Sequence, residues 1–349
     1  MKRREFFKTS GGIAGLFAGV GNALGPGADT DRESMIFDAT GTETLAGPAS
    51  DIRVFGLGGF GSRMVSRLAF EVRPLLDGMH SELSFFALDT DEDSLPSGDM
   101  PLVQSVLVEG ADSVLQSLGI LPASSMVVLM AGMGGATGMT LIHETAKMVR
   151  STGALTVAVV SMPVDDPLRN AEVTEELVQL KEVSDVVFAV AQIGHPLTWD
   201  AIPPVQERAR SLLNAERWIL HCVAGLLRAV CLPARTPFGF GEIRSLLAGA
   251  KWAGYGVAEG RGGQEIGSIG EAAIKQALAC GSGEIGENLR AALVVISGPA
   301  AQLRWPSIQP GESEMRRLLG AETSCLFGVQ ASQFRGYSRV KTEVWLAFS

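Results

Sequence analysis

A glycine-rich segment, Ala131 to Thr140, limits the folds open to this chain more than any other stretch. An apolar run from Met126 to Met130 leads into it, and a helical pattern of apolar residues follows from Leu141. A buried strand, a glycine turn and a helix start together make an anion site, because the helix N-terminus presents unpaired N–H groups and a positive dipole end. Thr137 adds a hydroxyl donor. The segment therefore predicts a phosphate loop, and the alternative is a tight turn whose small residues serve packing alone.

Alternating apolar and helical segments from Asp51 onward predict an α/β fold with a mostly parallel sheet covered on both faces. Ligands of such sheets bind beyond the carboxyl ends of the strands, where a second glycine turn, Gly56 to Gly61, and the segment Asp89 to Asp91 also lie. The predicted strands are Ile52 to Leu57, Leu83 to Leu88, Met126 to Ala131, Leu155 to Val160 and Val186 to Ala191.

A long helical pattern from Val205 to Val230 separates this region from a smaller α/β pattern. In the smaller region we expect helices at Glu242 to Ala250 and Gly270 to Ala279, and strands at Ala292 to Ser297, Cys325 to Gln330 and Val340 to Phe348. The predicted organisation is a leader and linker at 1–50, a nucleotide-binding domain at 51–204, a central helix and connection at 205–233, and a C-terminal α/β domain at 234–349.

The first residues resemble a twin-arginine export signal. Lys2-Arg3-Arg4-Glu5-Phe6-Phe7-Lys8 precedes an apolar, glycine-rich run from Gly11 to Leu24, which is too short and glycine-rich for a stable membrane span. Two interpretations stay open: export to the periplasm by the twin-arginine route, or a basic cytoplasmic tail.

Composition argues against several other classes of function. The net charge of −9 and an aromatic content of 6% lack the electrostatic and stacking signature of a nucleic-acid partner. The Cys and His residues have no metal-ligand spacing, so we predict no resident metal in the protein itself, and the disulfide state stays open; the cysteines are Cys222, Cys231, Cys280 and Cys325.

Gly56, Gly58 and Gly61 match the GxGxxG fingerprint of dinucleotide-binding proteins. Asp89 ends the second predicted strand, where an acid holds a ribose, but it lies 28 residues beyond Gly61 instead of about 20. A Rossmann-type NAD-binding oxidoreductase is therefore one alternative, which leaves the second glycine turn unexplained.

Five segments together carry a more specific resemblance: Gly56 to Ser62, Phe86 to Asp91, Ala131 to Gly138, Gly153 to Val160 and Pro163-Val164. Read in this order, the chain resembles the FtsZ/tubulin family, in particular its bacterial cell-division GTPases. Phe86 to Asp91 resembles the family's "AVNTD" segment, and Ala131 to Gly138 its signature "AGMGGGTG". The resemblance runs from Asp51 to Phe348.

The resemblance implies a GTP- or GDP-binding protein, with Mg²⁺ as a candidate companion ion. It also implies self-association head to tail, so that the smaller domain completes the neighbouring subunit's site. The residues it assigns to the nucleotide are Gly58, Gly59, Phe60, Gly61 and Ser62 from the first turn, Asp89 and Asp91, Gly134, Gly135, Ala136, Thr137 and Gly138 from the second turn, Asp165 and Arg169 on the ribose side, and His221 near the base. A solvated charge pair is the alternative for Asp165 and Arg169.

Three departures from the family pattern bear on activity. The span from Ser94 to Val108 lacks the family's glycine-rich third loop, and Leu220-His221 replaces the Asn/Asp pair that reads guanine. In the catalytic loop that reaches the next subunit, only Glu242 remains of two carboxylates. Phosphoryl transfer depends on positioned charges, so these losses predict weak or absent hydrolysis.

The sequence thus predicts a divergent FtsZ-like protein that binds guanine nucleotide and self-associates, with Glu242 as the candidate catalytic residue. A nucleotide-free structural relative of the same fold is the first alternative, and the Rossmann oxidoreductase is the second. Because the sequence stops at Ser349, we also expect no C-terminal adaptor-binding tail, and the short apolar run of the leader predicts no integral membrane segment.

Overall fold

The computed structural model describes residues 51–73, 82–96, 102–109, 126–163, 167–192, 205–232, 239–261, 265–280, 288–332 and 339–349. Within these ranges, residues up to 224 form one compact unit and residues from 225 onward form another. We call them the first and second units. The predicted leader, with Arg3 and Arg4, lies outside the described residues.

The first unit alternates strands and helices, as the sequence predicts. Its elements are β1 (Asp51–Leu57), α1 (Gly58–Val72), β2 (Glu82–Asp89), a 3₁₀ turn (Glu92–Ser94), β3 (Val103–Leu107), β4 (Met126–Gly132), α2 (Ala136–Ser151), β5 (Leu155–Pro163), α3 (Pro167–Val183), β6 (Val186–Gln192) and α4 (Val205–Cys231), of which residues to 224 belong here. The strands lie in the order β3-β2-β1-β4-β5-β6, and each neighbouring pair is parallel.

The central strands of this sheet are buried along almost their whole length. In β4 every residue from Met126 to Ala131 is buried, and in β5 every residue from Leu155 to Ser161. Such strands have no exposed face, which is typical of a parallel sheet between two helical layers. The carboxyl ends of β1, β2 and β4 consequently meet at one edge, where the glycine turns lie.

The second unit contains a mixed four-stranded sheet in its described part. After the last turns of α4, its elements are α5 (Phe240–Leu247), β7 (Lys251–Arg261), α6 (Ile266–Cys280), β8 (Leu289–Pro299), α7 (Trp305–Leu319), β9 (Ser324–Ser332) and β10 (Arg339–Phe348). The order is β7-β10-β8-β9, with β10 antiparallel to both neighbours and β8 parallel to β9. The described elements thus have the predicted α/β arrangement, with a parallel sheet in the first unit and a smaller α/β unit after α4.

Helix α6 packs directly on the backbone of β7. A β-carbon on Gly256 would lie 2.6 Å from the backbone nitrogen of Ala277, which leaves no room for a side chain. Glycine inside a strand commonly marks such a close approach of another backbone. In the part of the chain that the structure describes, no helix combines the length and apolarity needed to cross a membrane.

A cluster of buried charges lies in the second unit, where β10 faces the last turns of α4. Glu343 accepts hydrogen bonds from Arg228 Nη2 at 3.1 Å and from Tyr255 OH at 2.9 Å, and Lys341 Nζ lies 3.1 Å from its Oε1. Burial alone would raise the pKa of Glu343, but the cations of Lys341 and Arg228 and the hydrogen bonds hold it at about 2. The carboxylate is therefore ionised inside the unit.

Candidate functional site

The first glycine turn leads from β1 into α1 through a backbone conformation that requires glycine. Gly58 has φ +72°, and a β-carbon there would lie 2.9 Å from the backbone nitrogen of Gly138. No described side chain caps α1, so the N–H groups of its first turn are open to a ligand. The first predicted phosphate loop is therefore an uncapped helix N-terminus.

The second glycine turn starts α2 in the same way. Gly135 is the N-cap, again without a side-chain cap, and a β-carbon on it would have no atom within 4 Å. Its φ of −114° and ψ of 138° are angles that any residue adopts, so this glycine is not required by backbone conformation. The space beside it is open instead. Gly134 packs on the ring of Pro163, from the strand that follows.

The two turns touch each other. The close approach of Gly58 to Gly138 brings the N-terminus of α1 against the first turn of α2. Both helix dipoles then direct their positive ends toward the same region, which concentrates the attraction for an anion. We call this region the cradle, defined by Gly58 to Gly61 and Gly134 to Gly138.

The segment after β2 forms the third side of the cradle. Thr90 Oγ1 lies 3.3 Å from Thr137 Oγ1, so the two hydroxyls share a hydrogen bond. Asp89 is only 2% exposed; its Oδ1 accepts the N–H of Asp91, while its buried Oδ2 has no partner among the described residues. A β-carbon on Gly59 would lie 3.7 Å from that Oδ2. An unpaired carboxylate oxygen therefore lies beside the first turn of α1.

Other predicted site residues take different positions. Ser62 is buried, and its hydroxyl has no partner in the described part of the chain. Asp91 is exposed, and its side chain caps the 3₁₀ turn by accepting the N–H of Asp93. Phe60 packs its side chain against Gly132, where a β-carbon would lie 3.0 Å from Phe60 Cβ.

The predicted ribose and base residues are less completely described. Asp165 lies outside the described residues, and Arg169 lies in the first turn of α3. His221 is partly buried on α4, and the preceding Leu220 is 2% exposed. An apolar side chain in the core offers no hydrogen bond to a base.

The structure also brings together three residues that the sequence analysis did not single out. Arg67 Nη1 lies 2.5 Å from Glu216 Oε2, and Arg63 Nη2 lies 3.9 Å from Glu216 Oε1. Arg63 also donates from Nη1 to the carbonyl oxygen of Gly59 at 3.1 Å. The spacing of the two arginines, four residues apart, indicates that they share one face of α1. Nothing in the sequence indicated their partner on α4.

Glu242, the candidate catalytic carboxylate, lies in the second unit at the start of α5. Its Oε2 accepts the N–H of Gly239 at 2.6 Å, and its own N–H donates to the carbonyl of Gly239 at 3.1 Å. This reciprocal pair satisfies donors at the N-terminus of the helix. In the structure, the carboxylate thus stabilises its own helix.

Comparisons with known proteins by sequence and by structure find the same kind of protein. The cell division protein FtsZ of Mycoplasmopsis pulmonis is 24% identical over 311 residues, covering 83% of this chain and 75% of the relative. The chain also superposes on an FtsZ dimer from M. jannaschii with a TM-score of 0.68 and 19% identity, covering 85% of this chain and 88% of that one. The chain is thus similar in sequence and in fold to the FtsZ/tubulin family, as a divergent relative.

A second branch of this family is similar as well. CetZ2 from Haloferax volcanii, solved as a GTPγS-bound protofilament, aligns with a TM-score of 0.63 and 17% identity over 86% of this chain and 93% of that one. No protein-family model matches the chain.

Proposed function

We propose that the chain binds a guanine nucleotide through its phosphates in the cradle. The observation that carries this proposal is the contact between Gly58 and Gly138, which joins two uncapped helix N-termini beside the open space at Gly135. Thr137 adds a hydroxyl at the same place. The GTPγS-bound CetZ2 protofilament, a structural neighbour, supports a nucleotide as the ligand.

Mg²⁺ belongs to the same proposal, because a polyphosphate would meet the unpaired Oδ2 of Asp89. Two negative groups in contact repel each other unless a cation lies between them. Carboxylate oxygens are ligands that Mg²⁺ prefers, and Mg²⁺ commonly binds one or two carboxylates together with phosphates. Asp89 would thus hold the ion, which would neutralise phosphate charge there.

Self-association is the second part of the proposal. Neighbours of this fold were solved as an FtsZ dimer and a CetZ2 protofilament, which supports a head-to-tail arrangement of this chain. In such a filament the loop that contains Glu242 would face the nucleotide of the next subunit. Because that loop keeps a single carboxylate, engaged with Gly239 at 2.6 Å, we propose that hydrolysis is weak or absent.

A matched pair of threonine variants tests nucleotide binding. Thr137→Val with Gly135→Val removes the hydroxyl and fills the open space, and Gly135 tolerates valine because its φ is −114°. Thr140→Val, at an exposed position one turn further along α2, is the control. We expect calorimetry to detect GTP binding with Mg²⁺ in the parent and the control, but not in the double variant.

The opposite result has a defined meaning. If the purified full-length parent carries no nucleotide and added GTP changes neither its melting temperature nor its sedimentation, the nucleotide-free structural alternative replaces this proposal. Saturable binding of NAD(H) without GTP binding would instead revive the oxidoreductase alternative.

A further inference from the structure

A groove runs between α2 and α3 in the first unit, and its cavity has a volume of about 590 Å³. The residues that line it recur at intervals of about three and four along each helix, from Ala136 to Lys147 on α2 and from Glu176 to Val183 on α3. One face of each helix therefore forms one wall of the groove. Cavities of this volume commonly hold ligands.

The charges along the groove are mostly negative. Lys147 Nζ lies 3.1 Å from a carboxylate oxygen of Glu144, so these two charges offset each other. Glu176 and Glu182 add two further carboxylates. His143 Nε2 lies 2.7 Å from Glu176 Oε2, but burial lowers the pKa of His143, so its ring is neutral near pH 7. The lining thus favours a cationic occupant.

The far end of the groove lies at the sheet edge where the described chain begins. Arg150, in the last turn of α2, donates to the carbonyl oxygen of Glu182 near the end of α3, so the two helices end side by side. The carbonyl oxygen of Thr156, at the start of β5, accepts the N–H of Asp185, which follows α3. Strand β5 pairs with β4, and β4 pairs with β1, which begins at Asp51. Residues 1–50 therefore join the fold at the edge that the groove reaches.

We propose that the basic leader of this chain, Lys2 to Lys8, binds in the groove between α2 and α3. The segment reads Lys-Arg-Arg-Glu-Phe-Phe-Lys, so it brings four cations and one carboxylate to a negatively charged site. Its two phenylalanines can pack on Met139 and Val183, which are half-buried in the lining, and a methionine thioether interacts well with aromatic rings. This inference does not depend on nucleotide binding in the cradle.

The connection between the leader and the first strand is long enough for this contact. Residues 9–50 would span up to roughly 140 Å when fully extended. The six strands of the first unit, in contrast, extend over only about 24 Å at a spacing of about 4.8 Å. A covalent tether also raises the effective concentration of the segment at the groove. The chain's own leader is thus favoured over a free basic peptide.

Zero-length carbodiimide cross-linking of the full-length chain tests the contact, because it joins only amines and carboxylates that touch. We expect the leader lysines, Lys2 and Lys8, to link to carboxylates of the groove, above all to Glu182, as identified by peptide mass spectrometry. Mixing isotope-labelled with unlabelled protein should show that the links form within one chain. Links between chains, links only to carboxylates outside the groove, or no leader links would each overturn the proposal.

A matched pair of charge reversals gives a second test. Glu182→Lys changes the groove, and Glu175→Lys changes an exposed position of α3 outside it. We expect trypsin to cut after Arg4 roughly threefold faster in Glu182→Lys than in the parent, because the reversal removes an ion pair and adds repulsion. The control should be cut at the parent's rate. Equal rates in all three folded proteins would overturn the proposal, and cross-linking of the parent decides even where a variant fails to fold.

Discussion

The hydroxyl oxygens of Thr90 and Thr137 lie 3.3 Å apart, although 47 residues separate them in the chain. Thr90 follows strand β2, and Thr137 lies in the first turn of helix α2, which follows strand β4. Their contact joins the segment after β2 to the second glycine turn, whose Gly138 meets Gly58 of the first turn. Three separate segments thus depend on one another for their positions, which makes the cradle sensitive to single substitutions.

Gly58→Ala should destabilise the first unit and abolish nucleotide binding. Alanine at φ +72° costs about 1–2 kcal/mol, and its β-carbon would also press on Gly138. We expect a loss of at least about 2 kcal/mol in urea unfolding. Gly135→Ala is the control and should change stability by less than about 0.5 kcal/mol. Equal effects of the two substitutions would contradict the backbone contact described here.

Glu343 should make the second unit sensitive to acid. Its folded-state pKa of about 2 lies below the ordinary value of 4.5, so its stabilising contribution is complete above about pH 4.5 and is lost as the pH falls toward 2. Glu343→Gln leaves Arg228 and Lys341 buried without their carboxylate, which should cost about 3–5 kcal/mol at pH 7.

The control for this variant is Glu259→Gln, since Glu259 forms an ion pair with Arg339 at 3.3 Å in which 45% of the Arg339 side chain and 37% of the Glu259 side chain are exposed. Such a pair contributes about 0–1 kcal/mol. Chemical unfolding between pH 7 and pH 3 measures both effects. If Glu343→Gln keeps the acid sensitivity of the parent, the assignment of this sensitivity to Glu343 is wrong.

His143 should make the first unit less stable below neutral pH. Burial lowers its pKa from the ordinary 6.5, and the cation of Lys147 lowers it further. Together they outweigh the raising effects of the Glu176 carboxylate, 2.7 Å from Nε2, and of Glu144. The unfolded chain therefore takes up a proton at higher pH than the folded one, so stability falls as pH decreases below about 6.5. His143→Asn should flatten urea midpoints between pH 7 and 5, and an unchanged slope would refute this.

GTP turnover should be slower than about 1 s⁻¹, the lower end of typical enzymes. Glu242 is the remaining carboxylate of the catalytic loop, and it is bound to Gly239. Glu242→Ala should lower unfolding stability by about 0.5–2 kcal/mol through loss of the helix cap. Phosphate release, followed over a range of protein concentrations, measures turnover. A rate above this limit would show that the loop retains full catalytic competence.

Export should depend on Arg3 and Arg4 if the leader is a twin-arginine signal. That route carries folded proteins, so a subunit loaded with nucleotide and slow to hydrolyse it would arrive intact. Cell fractionation of the tagged protein, with both arginines changed to lysine in parallel, tests this. Uncleaved full-length protein in the cytoplasm of both strains would support the alternative of a basic tail.

The elements that the sequence predicted correctly are those with a strong apolar signal. Strands β1, β4 and β5 are buried along most of their length, and their apolar runs end at glycine or proline. Strand β3 was missed because Gln104 and Ser105 are exposed at the edge of the sheet, so the segment has no apolar run.

Glycine and proline concealed two further elements. Strand β7 contains Gly254, Gly256 and Gly260, which weaken a strand pattern, yet Gly256 is required by the contact with α6. Helix α7 contains Pro306 in its first turn and Pro310 inside, and the sequence pattern did not predict this helix. Both exceptions arise from tertiary packing that no local pattern contains.

The cradle itself was predictable in part. Glycine turns after buried strands indicated both helix N-termini, but their mutual contact depends on sheet order. The pairing of Arg67 with Glu216 spans 149 residues and has no local signal. Likewise, the sequence marked Glu242 as catalytic by resemblance, whereas its capping of α5 required the backbone geometry of Gly239.

Strand β10 has a consequence for how the protein forms during synthesis. It lies between β7 and β8, yet both are made long before it. Until Phe348 has left the ribosome, these two strands have unpaired edges and the carboxylate of Glu343 is not there to neutralise Arg228. The first unit, whose strands end at Gln192, can complete its sheet earlier. A growing chain therefore has a complete sheet in its first unit and unpaired strand edges in its second. At this stage chaperones protect nascent proteins from aggregation.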